Sequence, residues 1–264
     1  MKLRTIRRVV QLASLAVFVV IPFLNIAGIS FVSGTLYSMA IGPVWITDPL
    51  IGLQTILTSL RFDATLLLSM VIPLVITLIA GRVFCSWICP QNTLSEWVDQ
   101  AAVKIGIKRL FPSTAQPRVR TFVTAAVLLA APLAGFPLAT LLSAPGIITS
   151  QTARLIKEGA IGAESILIAV ILVSEFFVAR RVWCNAVCPA GGFLAFFRLP
   201  RTLRVALIED EKRVCGHCRA CVDVCQLGLD PLEGNIYPLC HNCGDCINAC
   251  ENMKGEQKPL MFRW

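Results

Sequence analysis

Four long apolar runs constrain this chain before anything else, at residues 9–31, 64–84, 121–142 and 165–179. Crossing the hydrocarbon core of a bilayer takes about 20 helical residues. The first three runs meet that length unaided. The fourth meets it if it begins near Ala160 and takes Glu164 at its outer end. Hydrophobic residues make up 56% of the chain and charged ones only 15%, a balance that soluble domains do not show. Lys2, Arg4, Arg7 and Arg8 precede the first run as they would in a signal peptide. That run is too long for a signal h-region, however, and no small-residue cleavage site closes it. Four transmembrane helices are therefore expected, an all-α membrane fold over residues 1–200.

Lysine and arginine orient the spans, because short cytoplasmic loops collect them. They cluster before the first span, between spans two and three (Arg82, Lys104, Lys108, Arg109, Arg118, Arg120) and after span four. The two outer loops hold only Arg61, Arg154 and Lys157. The expected protein is thus a multi-pass protein of the inner (cytoplasmic) membrane with both termini in the cytoplasm. The net charge of +8 follows from this topology and from anionic lipid, so no nucleic acid is implied.

Twelve cysteines fall at or beyond the cytoplasmic ends of spans two and four, where thiols stay reduced and structural disulfides are disfavoured. Eight lie in the tail, residues 201–264, as Cys215-x2-Cys218-x2-Cys221-x3-Cys225 and Cys240-x2-Cys243-x2-Cys246-x3-Cys250. In that spacing three thiolates hold one cubane while the fourth reaches the neighbouring one. Cys215, Cys218, Cys221 and Cys250 then form one [4Fe-4S] site, and Cys240, Cys243, Cys246 and Cys225 the other. Structural zinc would show two separated pairs instead of a triplet plus one. The proline that usually follows the fourth cysteine is replaced by Gln226 and Glu251. His217 and His241 lie inside the runs, either tuning the clusters or standing as loop positions near solvent.

The remaining four cysteines repeat a pattern. Arg82-Val83-Phe84-Cys85-x3-Cys89-Pro90 recurs as Arg181-Val182-Trp183-Cys184-x3-Cys188-Pro189, each directly after a span. The membrane part thus reads as two parallel repeats of span, loop, span and cysteine motif, which sets both motifs at one depth. On a continuing helix, i and i+4 thiols share a face. Three readings stay open: a third metal centre, a redox dithiol, or small apolar residues packing at a helix end.

Four spans, the repeated C-x3-C-P and the paired ferredoxin runs resemble the NapH/MauN type of membrane polyferredoxin and, more distantly, the membrane part of NosR. The resemblance is most specific at residues 83–90 and 183–189. It implies, on the NapH side, a quinol dehydrogenase subunit that passes electrons through an iron-sulfur partner of the NapG kind toward a periplasmic nitrate reductase. On the MauN side it implies an accessory or maturation protein that does not itself oxidise quinol.

Clusters tethered to a bundle in the bilayer suit exchange between a lipid-soluble carrier, quinone above all, and a protein partner. Quinol oxidation needs a group that takes protons, and Glu175, about one turn before Arg180, is the candidate acceptor. Its alternative is an ion pair with Arg82, Arg180 or Arg181. A second candidate site lies in the outer loops. There Trp45, Asp48 and residues 50–60 are expected at the outer interface, with Arg154, Lys157 and Glu158 lining the matching loop, and the alternative for Trp45 is an interfacial anchor.

Overall fold

A computed structural model describes residues 2–112, 116–197, 199, 201–208, 215, 218–232, 236, 239–254 and 259–264. The first apolar run becomes helix α1, Lys2–Ile26, about 37 Å long at 1.5 Å per residue. The helix ends before the run does. Gly28 adopts positive φ, and the chain turns into three short antiparallel strands, β1 (Val32–Gly34), β2 (Ser38–Ile41) and β3 (Val44–Thr47). Gly42, at φ 55°, makes the turn between β2 and β3. The first 200 residues are therefore mostly helical, with one small sheet among the helices expected there.

Helix α2, Pro49–Ser59, follows at once. Pro49 occupies its first turn and the Asp48 carboxylate accepts from the Leu50 N–H at 2.9 Å, a standard N-cap. Leu50, Ile51 and Gln54 are buried. Gln54 Nε2 donates to the Val127 carbonyl and its Oε1 accepts from the Ala139 N–H, both at 2.8 Å. Residues 50–56 thus pack largely inside the bundle, which corrects their expected place at an outer interface, whereas Leu57 and Leu60 are exposed. Trp45 is exposed too.

Next come α3 (Ala64–Ala80), α4 (Val83–Trp87) and α5 (Pro90–Ile105). The second half repeats the order with α6 (Pro117–Ala134), α7 (Ala139–Leu142), α8 (Ala144–Glu158), α9 (Ser165–Phe177), a π-helical turn (Trp183–Val187) and α10 (Pro189–Leu194). Two helices, α1 and α6, are long and apolar enough to cross a membrane. Helices α3 and α9 have 17 and 13 residues, about 26 and 20 Å. The fourth run does not start at Ala160, since residues 160–162 lie outside any helix. The third stops at Ala134, where Gly135 takes the left-handed cap that ends α6.

The two halves interlock. Helix α1 packs on α8 and α6 packs on α2, so each half's long helix covers the other half's short buried one. Contact near the cysteine motifs is close. A Cβ on Gly192 of α10 would run into Thr124 Oγ1 of α6. Aliphatic and aromatic side chains point outward from all four long apolar helices, among them Val17, Phe23, Leu68, Leu129 and Val170.

The tail consists of β4 (Arg204–Leu207) paired antiparallel with β5 (Leu260–Arg263), and helices α11 (Ala220–Asp223) and α12 (Asp245–Lys254). Val205, Leu227, Leu229, Ile247 and Leu260 make its core together with several cysteines. It docks on the helical part through buried polar contacts. Ser86 Oγ donates to the His241 carbonyl at 2.6 Å, and Arg82 Nη1 to the Leu239 carbonyl at 3.1 Å. Asn242 Nδ2 donates to the Ala80 and Leu203 carbonyls at 2.9 and 2.8 Å. Arg7 reaches Glu96 at 2.9 Å and Asp245 at 3.2 Å.

Candidate metal centres

The twelve cysteines line three small cavities, four to each. Cys215, Cys218, Cys221 and Cys250 surround one of about 20 Å³ beside Leu232 and Leu260. Cys225, Cys240, Cys243 and Cys246 surround another of the same volume beside Leu229 and Ile236. The fourth cysteine of each run sits with the other run's triplet, which is the crossing expected from the spacing. It arises because Cys225 ends the turn after α11 while Cys250 lies on α12, and the two short helices pack on each other.

Chemistry around these thiols suits metal-sulfur ligation. The Leu229 N–H donates to Cys225 Sγ at 3.3 Å and the Asn242 N–H to Cys240 Sγ at 3.4 Å, and such bonds stabilise sulfur carrying negative charge. Burial pushes the Cys240 and Cys221 thiols up to about 11, with neighbouring cysteines adding to the rise. Such thiols stay protonated unless a bound cation takes the proton's place. Among the described residues, no three His, Cys, Asp or Glu side chains stand close enough to hold a single metal ion. Four thiols arranged round one small cavity in a triplet-plus-one spacing fit a multinuclear cluster.

Gln226, where a proline was expected, has a structural task. Its Nε2 donates to Asp245 Oδ2 at 2.6 Å while its Oε1 accepts from Arg181 Nη2 at 3.0 Å. His241 is buried, which corrects the reading of it as a loop position near solvent. Burial, and then Arg82 and Arg181, hold its ring well below the usual histidine range, so it is neutral. His217 lies outside the described residues.

A third cavity, of about 30 Å³, is lined by Cys85, Cys89, Cys184 and Cys188 together with Trp183 and His241. Cys85 comes from α4 and Cys184 from the π-helical turn, while Cys89 and Cys188 cap the helices that begin at Pro90 and Pro189. Proline is accepted there because a first-turn residue needs no N–H. Burial, reinforced by the neighbouring Cys85, raises the Cys188 thiol to about 11, and Cys89 and Cys184 are raised further.

Glu175 is 2% exposed on α9, which packs against α5, and neither of its carboxylate oxygens has a hydrogen-bond partner among the described residues. Arg180 is turned instead to Asp99, at 2.7 Å. A larger cavity of about 310 Å³ opens between Phe111, Gln116, Val178, Arg180 and Asn185, and Glu175 does not line it. At the outer loops, Arg154 pairs with Glu158 at 2.9 Å on the exposed end of α8. Trp45 and Asp48 line none of the four cavities described here. What sequence reasoning missed is this larger cavity and the buried arginines at the third one. Arg82 and Arg181 open the repeated motifs, yet nothing in their spacing reveals that they are buried.

A family model described as a 4Fe-4S binding domain matches residues 62–108 and 161–205, once in each half of the helical part. The methylamine utilization ferredoxin-type protein MauN of Methylorubrum extorquens is 32% identical over 84% of this chain and 74% of its own. The ferredoxin-type protein NapH of Haemophilus influenzae is 26% identical over 92% of this chain and 85% of its own. The regulatory protein NosR of Stutzerimonas stutzeri is 26% identical over 83% of this chain but only 28% of its own. No solved structure matches the chain.

Proposed function

Since the chain belongs to the ferredoxin-type MauN/NapH family of iron-sulfur electron-transfer proteins, we propose that it carries electrons from membrane quinol to an iron-sulfur partner protein. In this reading Cys215, Cys218, Cys221 and Cys250 hold one [4Fe-4S] cluster, and Cys240, Cys243, Cys246 and Cys225 hold a second. When bound, each cubane takes up and returns one electron, so a pair of them matches the two electrons of a quinol. The observation that carries the proposal is the sorting of the tail cysteines into two adjoining fours on a tail bonded to strongly apolar helices.

The outward apolar faces of α1, α3, α6 and α9 support four membrane passes, with α3 and α9 completed by their flanks. The cavity beside Arg180 lies at the low end of the range for small-molecule sites, about 300–1,000 Å³, and has the polar Gln116 and Asn185 on an otherwise largely apolar wall. A quinol head group fits such a lining. Glu175, one helical turn from Val178, takes the proton released as quinol is oxidised. Buried and in no salt bridge among the described residues, it can change charge without breaking one. The partner is an iron-sulfur protein of the NapG kind.

The test is to add a reduced quinol analogue to anaerobic membranes containing the protein and follow absorbance near 400 nm. Rapid bleaching is expected. Clusters that dithionite bleaches but quinol does not would contradict quinol oxidation and favour the accessory role.

A further inference from the structure

Two tail sites account for eight of the twelve cysteines and leave the third cavity without a role. We propose that Cys85, Cys89, Cys184 and Cys188 together ligate a third iron-sulfur cubane, shared between the two halves and standing at the membrane end of the relay. The proposal rests on the electron-transfer reading of the family and not on quinol as the donor.

Each half supplies two thiols, and a cubane needs four ligands. Neither half suffices alone. The interlocked packing of α1 on α8 and α6 on α2 brings the two pairs to one cavity. On the second-half side, the π-helical turn widens the backbone at Trp183–Val187 and packs Cys184 against the tail core. The Gly191 N–H donates to Cys188 Sγ at 3.4 Å, a bond of the kind found at the tail sulfurs.

Charge is the second line of support. Arg82 and Arg120 are 3% and 4% exposed, and neither has a carboxylate within 4 Å among the described residues. Arg82 lines the cavity, and Arg120 lies near enough to feel Cys85, Cys184 and Cys188. A buried cation left uncompensated costs several kcal/mol. Four thiolates round a cubane carry net negative charge in both redox states and supply the missing counter-charge.

Unpaired polar groups form the third. Trp183 Nε1 and His241 Nε2, both on the wall of this cavity, have no hydrogen-bond partner among the described residues. Buried donors are rarely left so, and cluster sulfides accept such bonds.

Position then gives the centre its place. Leu227 and His241 line both this cavity and the neighbouring one of Cys225, Cys240, Cys243 and Cys246. A cubane held by these four cysteines would exchange one electron with one held by Cys225, Cys240, Cys243 and Cys246, so the pair would need no further reactant.

Iron, acid-labile sulfide and zinc are to be measured per chain in protein purified anaerobically, beside a Cys85→Ser/Cys184→Ser variant that removes one ligand from each half. About twelve iron and twelve sulfide are expected in the wild type, and about eight of each in the variant, with the tail signals intact by electron paramagnetic resonance. Eight iron in the wild type, with both tail signals present, would overturn the proposal whether or not the variant folds. So would eight iron accompanied by one zinc that the variant loses. Failure of quinol to bleach the clusters changes none of these counts.

Discussion

Asn242 shows how much one residue carries here. It sits between two cluster cysteines at φ 55°, a left-handed conformation that asparagine tolerates better than most residues. Its side chain ties the tail to Ala80 and Leu203. Asn242→Ala should cost about 2–4 kcal/mol from two lost hydrogen bonds and backbone strain. The eight tail ligands are untouched, so iron should stay while limited proteolysis between the tail and α10 speeds up. Unchanged proteolysis would refute the docking role. Glu175→Gln keeps the size of the side chain but cannot take a proton, and should slow quinol-driven bleaching at least ~100-fold while leaving dithionite reduction unaffected. At this scale the grouping of the eight tail cysteines into two fours was legible, because ligand spacing is a local property of the chain. Gln226 was not. Its partners Arg181 and Asp245 lie 45 and 19 residues away, and only folding brings them together.

Among the elements, the four apolar runs foretold the long helices, but α2 and α8 escaped notice. Both looked like outer-loop sequence, since α8 ends in Arg154, Lys157 and Glu158 and α2 has no charged face. Their burial depends on which helix of the other half covers them, and hydropathy carries no such information. The π-helical turn left no mark either, as its extra backbone width is a response to packing. The cap of α2 allows a direct check. Burial raises the Asp48 carboxyl from 3.8 to about 6, against the lowering effect of the N–H groups of Leu50 and Ile51. An acid whose folded value is raised stabilises the fold below about pH 4 and loses that contribution as pH rises through 6. Asp48→Asn retains the cap without the charge, so it should gain about 2–3 kcal/mol at pH 8, roughly half of that at pH 5 and little below pH 4 in thermal unfolding of detergent-solubilised protein. A gain that does not vary with pH would show that Asp48 is ionised without penalty.

In the whole molecule, the repeat visible in the two C-x3-C-P motifs becomes a mutual clasp of two halves with the tail bonded across their cysteine-bearing end. Charge distribution sets the expected orientation. A cytoplasm-active reporter fused after Trp264 should function, and one inserted at Arg61 or Lys157 should read as exported. Gly52, in the same outer segment, is unsuitable for insertion because a Cβ there already meets the Met70 side chain. Reversed reporters would refute the four passes. The central claim is that the tail holds two neighbouring cubanes with crossed fourth ligands, and electron paramagnetic resonance of the anaerobically purified, dithionite-reduced protein tests it most directly. The account predicts two reduced cubane signals, broadened by mutual magnetic interaction and altered by Cys225→Ser at the site of Cys240, Cys243 and Cys246. A silent spectrum from protein containing zinc and no iron would contradict it.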